Sequence, residues 1–163
     1  MLSLNITDIG LFTEMLFSKD VFDRFLLHDL NLTTSLSLTI SGQKNPDFYD
    51  ESEQQLALAE PFVSWADVRI PVRTLISGKR LPVYFKIVLI TQKRTTDALI
   101  KRSGFSDCDV SSLSMTILYT KKQLFLTTGV SYLGLSLDRS LEKTWENTVQ
   151  SFLEDIKCGF EAV

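Results

Sequence analysis

The sequence predicts an α+β protein, an antiparallel sheet carrying at least three helices. Three observations lead there. Leu26, His28, Leu30, Leu32, Thr34, Leu36, Leu38 and Ile40 occupy every second position, and Leu113, Met115, Ile117 and Tyr119 repeat the pattern, which is the period of a strand with one buried face. Residues 83–90 are almost continuously apolar and rich in β-branched and aromatic side chains, as in a central strand covered on both sides. Leu141, Trp145, Val149, Phe152 and Ile156 recur at helical spacing, with Glu142, Lys143, Glu146 and Asp155 outside the stripe.

Along the chain, Leu2, Leu4 and Ile6 alternate as a short strand. Thr7 or Asp8 can cap a helix whose stripe is Ile9, Phe12 and Leu16, and Ser18-Lys19-Asp20 ends it. The alternation over 26–40 is longer than a typical strand, so it is best divided into two strands turning near Thr33-Thr34-Ser35, the alternative being one long bent strand. Residues 47–59 are acidic and rich in helix formers, which suits a short exposed helix or an irregular excursion. Ser64 and Asp67 form a capping box for a stripe of Phe62, Trp65, Val68, Val72, Leu75 and Ile76, and Pro71 predicts a kink or two short helices there, with Gly78 as the stop. A short helix follows at 96–102, closed by Ser103-Gly104. Lys121-Lys122 turns the chain towards Leu124 and Leu126, and a third alternating segment carries Leu133, Leu135 and Leu137. Asp138 or Ser140 caps the last helix, at 139–157.

The 163 residues, 44% hydrophobic and 23% charged, fit a single domain over 1–163 and exclude a disordered or collagen-like chain. The order strand, helix, strand, strand recurs, suggesting internal halves at 1–45 and 83–137. That order is similar to one domain of a DNA-polymerase sliding clamp, which is built from two such halves. The similarity lies in element order and brings no functional residue with it; the alternative is an α+β sandwich without duplication. Met1 to Ile6 carries no basic leader, so no secretory signal is expected, and Cys108 and Cys158 are expected to be reduced thiols in a cytoplasm.

Charge is unevenly spread. The net charge is -3, yet residues 69–102 hold nine cations against Asp97 alone, whereas Asp47, Asp50, Glu51, Glu53, Glu60 and Asp67 lie just upstream with no cation among them. Such asymmetry marks an anion-binding or nucleic-acid face, or two segments that neutralise each other on the surface. The candidate anion- or nucleic-acid-binding residues are Arg69, Arg73, Lys79, Arg80, Lys93 and Arg94, with Lys101 and Arg102 extending the same surface. Arg69 and Arg73 share a helix face if the helix is continuous.

Catalytic and metal motifs are sparse. His28 is the single histidine and sits in an apolar row, the usual setting of a core or edge histidine. Cys108 is flanked by Asp107 and Asp109, which oppose a thiolate, and Cys158 reads as a packing residue. Ser77-Gly78-Lys79-Arg80 lacks the upstream glycine and the Ser or Thr of a phosphate loop. The acidic pairs Asp20 with Asp23, and Asp50 with Glu51 and Glu53, read as solvated faces. No catalytic residue, metal ligand or cofactor is expected.

Five stretches carry a family resemblance: Leu4-Asn5-Ile6-Thr7-Asp8, Phe22-Asp23-Arg24-Phe25-Leu26-Leu27, Ile76-Ser77-Gly78-Lys79-Arg80-Leu81-Pro82, Phe85-Lys86-Ile87-Val88 and Thr127-Thr128-Gly129. Through them the chain resembles a family of small uncharacterised proteins, a domain of unknown function, from gut clostridia. The resemblance implies a bacterial cytoplasmic protein and supplies no activity. The reading that follows is a non-enzymatic binding or protein-interaction module, acting on an unknown protein partner or on itself, with no membrane role. The alternatives are a nucleic-acid-binding protein using the basic 69–102 segment and an enzyme with a dispersed carboxylate and arginine site.

Overall fold

The computed structural model describes residues 1–78 and 80–163. It runs β1 (Ser3–Ile6), α1 (Ile9–Phe17), β2 (Phe25–Thr33), β3 (Ser37–Ser41), a 3-10 turn (Pro46–Phe48), α2 (Glu51–Ala57), α3 (Trp65–Ile76), β4 (Tyr84–Thr91), α4 (Lys93–Ser103), β5 (Val110–Thr120), β6 (Gln123–Tyr132), α5 (Ser140–Asp155) and β7 (Phe160–Ala162). The strands form one seven-stranded sheet in the order β3-β2-β4-β5-β6-β1-β7, antiparallel at every pairing. The fold is therefore α+β, as the alternating runs predict.

One row of side chains crosses the whole sheet. The register sets Ile40, Leu30, Ile87, Ile117, Leu126, Leu4 and Ala162 side by side on successive strands. The five inner members are completely buried. The adjoining row includes Phe85 and Tyr119, whose rings stack with centroids 5.2 Å apart. Helices α1, α3 and α5 stand on this face. Phe17 of α1 meets Phe85 edge-on at 5.6 Å, and Phe152 of α5 meets Phe22 at 5.1 Å. Trp65 of α3 is wholly buried, and its indole N–H donates to the Leu16 carbonyl at 2.9 Å. Trp145 of α5 does the same to the Ser114 carbonyl, also at 2.9 Å. A buried indole needs such a partner, because an unpaired N–H away from water is costly.

The second face is open. Tyr84, Lys86 and Val88 of β4, Thr116 and Leu118 of β5 and Phe125 of β6 are only half-buried there. The apolar run at 83–90 is thus not covered on both sides; only Ile90, opposite Leu26 in the register, is buried on this face.

The break in the β2 pattern has a local cause. The β2–β4 register slips between Leu27 and Asp29, so His28 is a bulge residue with no partner. The bulge swaps parity, placing Leu27 on the covered face with Leu30 and Leu32 and turning His28 out. His28 is therefore not a core histidine: its side chain is 51% exposed, stacks on Phe62 at 5.1 Å and has Nδ1 2.7 Å from Asp29 Oδ1. The chain returns past this bulge at Gly42, where an added Cβ would sit 1.7 Å from the Leu27 carbonyl oxygen, so only glycine fits.

The two strands of the 26–40 run turn at Thr34–Leu36, where the Thr34 N–H donates to the Leu36 carbonyl at 2.8 Å. Ser64 caps α3 by accepting from the Ala66 N–H at 3.2 Å. That helix runs as one element through Pro71, so the alternative of two short helices is set aside. Pro71 is exposed, whereas Trp65 and Val72 are buried in the two halves of the helix, so packing holds it despite the one missing hydrogen bond. Two further expectations change. Leu133, Leu135 and Leu137 lie in no strand, and residues 160–162, past the last helix, form β7. The strand–helix–strand–strand order does occur twice, yet with different pairings: β4 lies between β2 and β5, whereas β1 lies between β6 and β7. Among the described residues no helix is long and apolar enough to cross a membrane.

Ile117→Ala should lower the unfolding free energy by about 2–5 kcal/mol in a denaturant titration. Thr116→Ala, one residue away and facing the open side, should change it by less than about 0.5 kcal/mol. Equal losses would mean that both faces are covered.

Candidate interaction sites

The basic segment does not assemble into one patch. Arg69, on α3, is committed inside the fold: its Nε donates to Asp23 Oδ1 and a terminal nitrogen to Asp23 Oδ2, both at 2.9 Å. The two side chains are only 14% and 22% exposed. The hydrogen bonds that Arg69 donates to Asp23 raise its pKa above the ordinary value, against an opposing contribution from burial. Asp23 is thus an ion-pair partner rather than part of a solvated acidic face. Arg73, one turn on, is exposed, and so is Arg80 beyond the helix. Lys79 lies outside the described residues. Lys93 and Arg94 are exposed in the first turn of α4. Arg80 and Lys93 flank opposite ends of β4, whose eight residues span about 26 Å at a strand's rise per residue. Arg102 is taken up by α5, where it donates to Thr148 Oγ1 at 2.6 Å. Among the described residues, no ion pair links the acids of 47–67 to the cations of 69–102.

Arg80 does belong to a concave surface. The end of α3, the 80–83 segment and the β2–β3 turn enclose a groove of about 480 Å³ lined by Thr34, Leu75, Ile76, Arg80, Leu81 and Val83. It adjoins a second one of about 440 Å³, where α1 supplies Ile9, Thr13 and Phe17 and the sheet supplies Phe85 and Tyr119. Ile76 and Leu81 line both. Among the described residues, the charged ones along them are Arg80 and Lys122, and Leu81 is 80% exposed. Lys121 and Lys122 form the expected two-residue hairpin turn with φ of 49° and 62°. That turn favours Asn-Gly, so two lysines hold their charge beside the groove in a backbone conformation they do not favour.

At the far end of β6 the chain crosses residues 133–139 with its polarity inverted. Leu133, Leu135 and Leu137 are 71%, 100% and 99% exposed. The residues between them hold the segment down. Gly134 lies so close to Cys108 that an added Cβ would meet its Cβ at 3.1 Å. Ser136 donates to Asp107 Oδ2 at 2.8 Å and accepts from the Asp138 N–H at 3.1 Å. The Leu133 N–H donates to the Asp109 carbonyl at 2.8 Å. Sequence alternation finds these leucines but reads them as a strand, because period two does not say which side faces water.

A third, polar cavity of about 310 Å³ lies at the start of α4, lined by His28, Glu60, Lys93, Asp97, Ser112 and the Thr91–Thr96 hydroxyl pair, among others. Among the described residues, no serine, threonine or cysteine is hydrogen-bonded to His28, and no group of three His, Cys, Asp or Glu could hold a metal ion.

A family of unknown function, DUF5721, matches residues 15–161. The chain belongs to this family. No match is found among curated proteins or among solved structures. The DUF5721 match covers every element except β1, the first six residues of α1 and the last residue of β7.

Burial raises the Cys158 thiol to about 11, with the Asp8 carboxylate adding to the effect. The unfolded thiol ionises first, so this group's contribution to stability is complete below its ordinary pKa and is lost as pH rises towards 11. Ellman's reagent at pH 8 should therefore label one thiol per native chain, half-buried Cys108, and the second only after unfolding. Arg69→Ala should cost about 1.5–3 kcal/mol of stability, as expected for lost charge-assisted hydrogen bonds. Arg73→Ala, on the same helix, should fall within about 0.5 kcal/mol of the parent.

Proposed function

We propose that this chain is a non-enzymatic protein-interaction module that works through the 133–139 segment. The observation that carries the reading is its inverted polarity. Leu135 and Leu137 are wholly exposed, while Ser136 between them is hydrogen-bonded to the body of the protein. Water gains nothing from an exposed leucine, and the fold gains nothing from these three. A surface that pins its polar residues and presents its apolar ones is shaped to lose water to a partner. The unpaired cysteines suit a reducing compartment such as a cytoplasm. A nucleic-acid face is less well supported, because Arg69 is neutralised by Asp23 and the remaining candidates divide between the two ends of β4.

The test separates a role in folding from a role in binding. In Leu135→Ser/Leu137→Ser, the thermal midpoint should stay within about 2 °C of the parent, since no buried area is lost. Retention on a phenyl matrix and capture of partner proteins from the native cell should both fall. A drop of the midpoint beyond about 5 °C would place the leucines in the fold and end the proposal.

A further inference from the structure

We infer that the partner of the 133–139 segment is a second copy of this chain, and that the segment seats in the cation-edged groove around Leu81. This rests on the reading of that segment as an interaction surface and names its occupant. Two observations carry it. The first is charge complementarity. The leucine segment is flanked by Asp107, Asp109 and Asp138, and its one cation, Arg139, has Glu142 Oε2 at 3.7 Å. The groove is apolar, and among the described residues its charged lining residues are the cations Arg80 and Lys122. An apolar ridge bordered by carboxylates matches an apolar groove bordered by cations, and like charges are kept apart in every other pairing of the two surfaces.

The second is their placement. Lys122 immediately precedes β6 at the groove, and Leu133 follows the other end of β6, a strand of ten residues or about 33 Å. The segment cannot reach the groove of its own chain. One copy therefore offers its leucines to the groove of another. The contact joins two different patches, so it either closes, as a reciprocal pair or a ring, or extends head to tail. Only one short segment is buried at each joint, so the association is weak, reversible and dependent on concentration.

Sedimentation velocity on the full chain tests this, with three proteins: the parent, Leu81→Glu to block the groove, and Leu135→Glu/Leu137→Glu to block the segment. All the replaced side chains are at least 80% exposed, and thermal midpoints check that each variant folds. The parent's mean mass should rise with concentration above that of the monomer, and added salt should reduce the rise. Each variant alone should remain monomeric. An equimolar mixture of the two variants should recover association but stop at the dimer, because one intact groove meets one intact segment and nothing remains to extend. A parent that stays monomeric at every concentration overturns the inference, as does a mixture that fails to associate or a variant that still does. If self-association fails while Leu135→Ser/Leu137→Ser keeps its stability and loses captured partners, the interaction reading stands and its occupant is a different protein.

Discussion

Leu30, Ile87, Ile117, Leu126 and Leu4 touch across five strands without a gap, and the rest of the molecule is arranged around that row. Because strand side chains alternate, a fully apolar row on one face commits that face to burial and releases the other. Helices α1, α3 and α5 must then share one side. Phe17, Trp65, Trp145 and Phe152 are the large side chains with which they close over it. Ser112, Ser114, Thr116, Thr120 and Thr127 of β5 and β6 fall on the open side and are half-buried there, whereas Thr128 is buried on the covered side. Both interaction surfaces proposed above lie at strand ends, where the row has run out and neither face dictates what the loops must bury.

The charge pattern shows why a linear count misleads. Nine cations within residues 69–102 suggest a basic face, yet those residues fold into a helix, a turn, a central strand and a second helix. An antiparallel strand is long compared with the screening distance of about 8 Å at physiological salt, so charges at its two ends act independently. Arg69 illustrates the other limit. It finds its counter-ion in Asp23, far away in sequence, and becomes part of the scaffold.

Much of the architecture is legible in the residues, for a physical reason. Ile117 or Trp145 repeats at a period that only one kind of element satisfies, so strands and helices announce themselves wherever one side is buried. What escapes notice is whatever depends on a neighbour. His28 sits in a perfect alternation, and only the slip against β4 turns it outward. Pro71 forbids one hydrogen bond, and only the packing of Trp65 and Val72 decides that the helix survives it. The short Phe160–Ala162 strand has too few residues to show a period. Of the candidate site, Arg80 was identifiable from charge, whereas Leu81 and Lys122 matter only because the fold brings a turn and a hairpin to the same corner. The leucines at 133–137 were visible and misassigned, since alternation reports that two sides differ without reporting which one is dry.

The position of β1 sets an order on assembly. Its sheet partners are β6 and β7, so Leu4 cannot find Leu126 or Ala162 until the more than 100 residues between them have been made. The β2–β3 and β5–β6 hairpins close locally and early, but β1 waits, together with the α1 residues that follow it. Such long-range pairing slows the search for the native state. Until it is complete, the β6 edge that β1 will occupy stays open, and the nascent chain is most exposed to mispairing along that one strand.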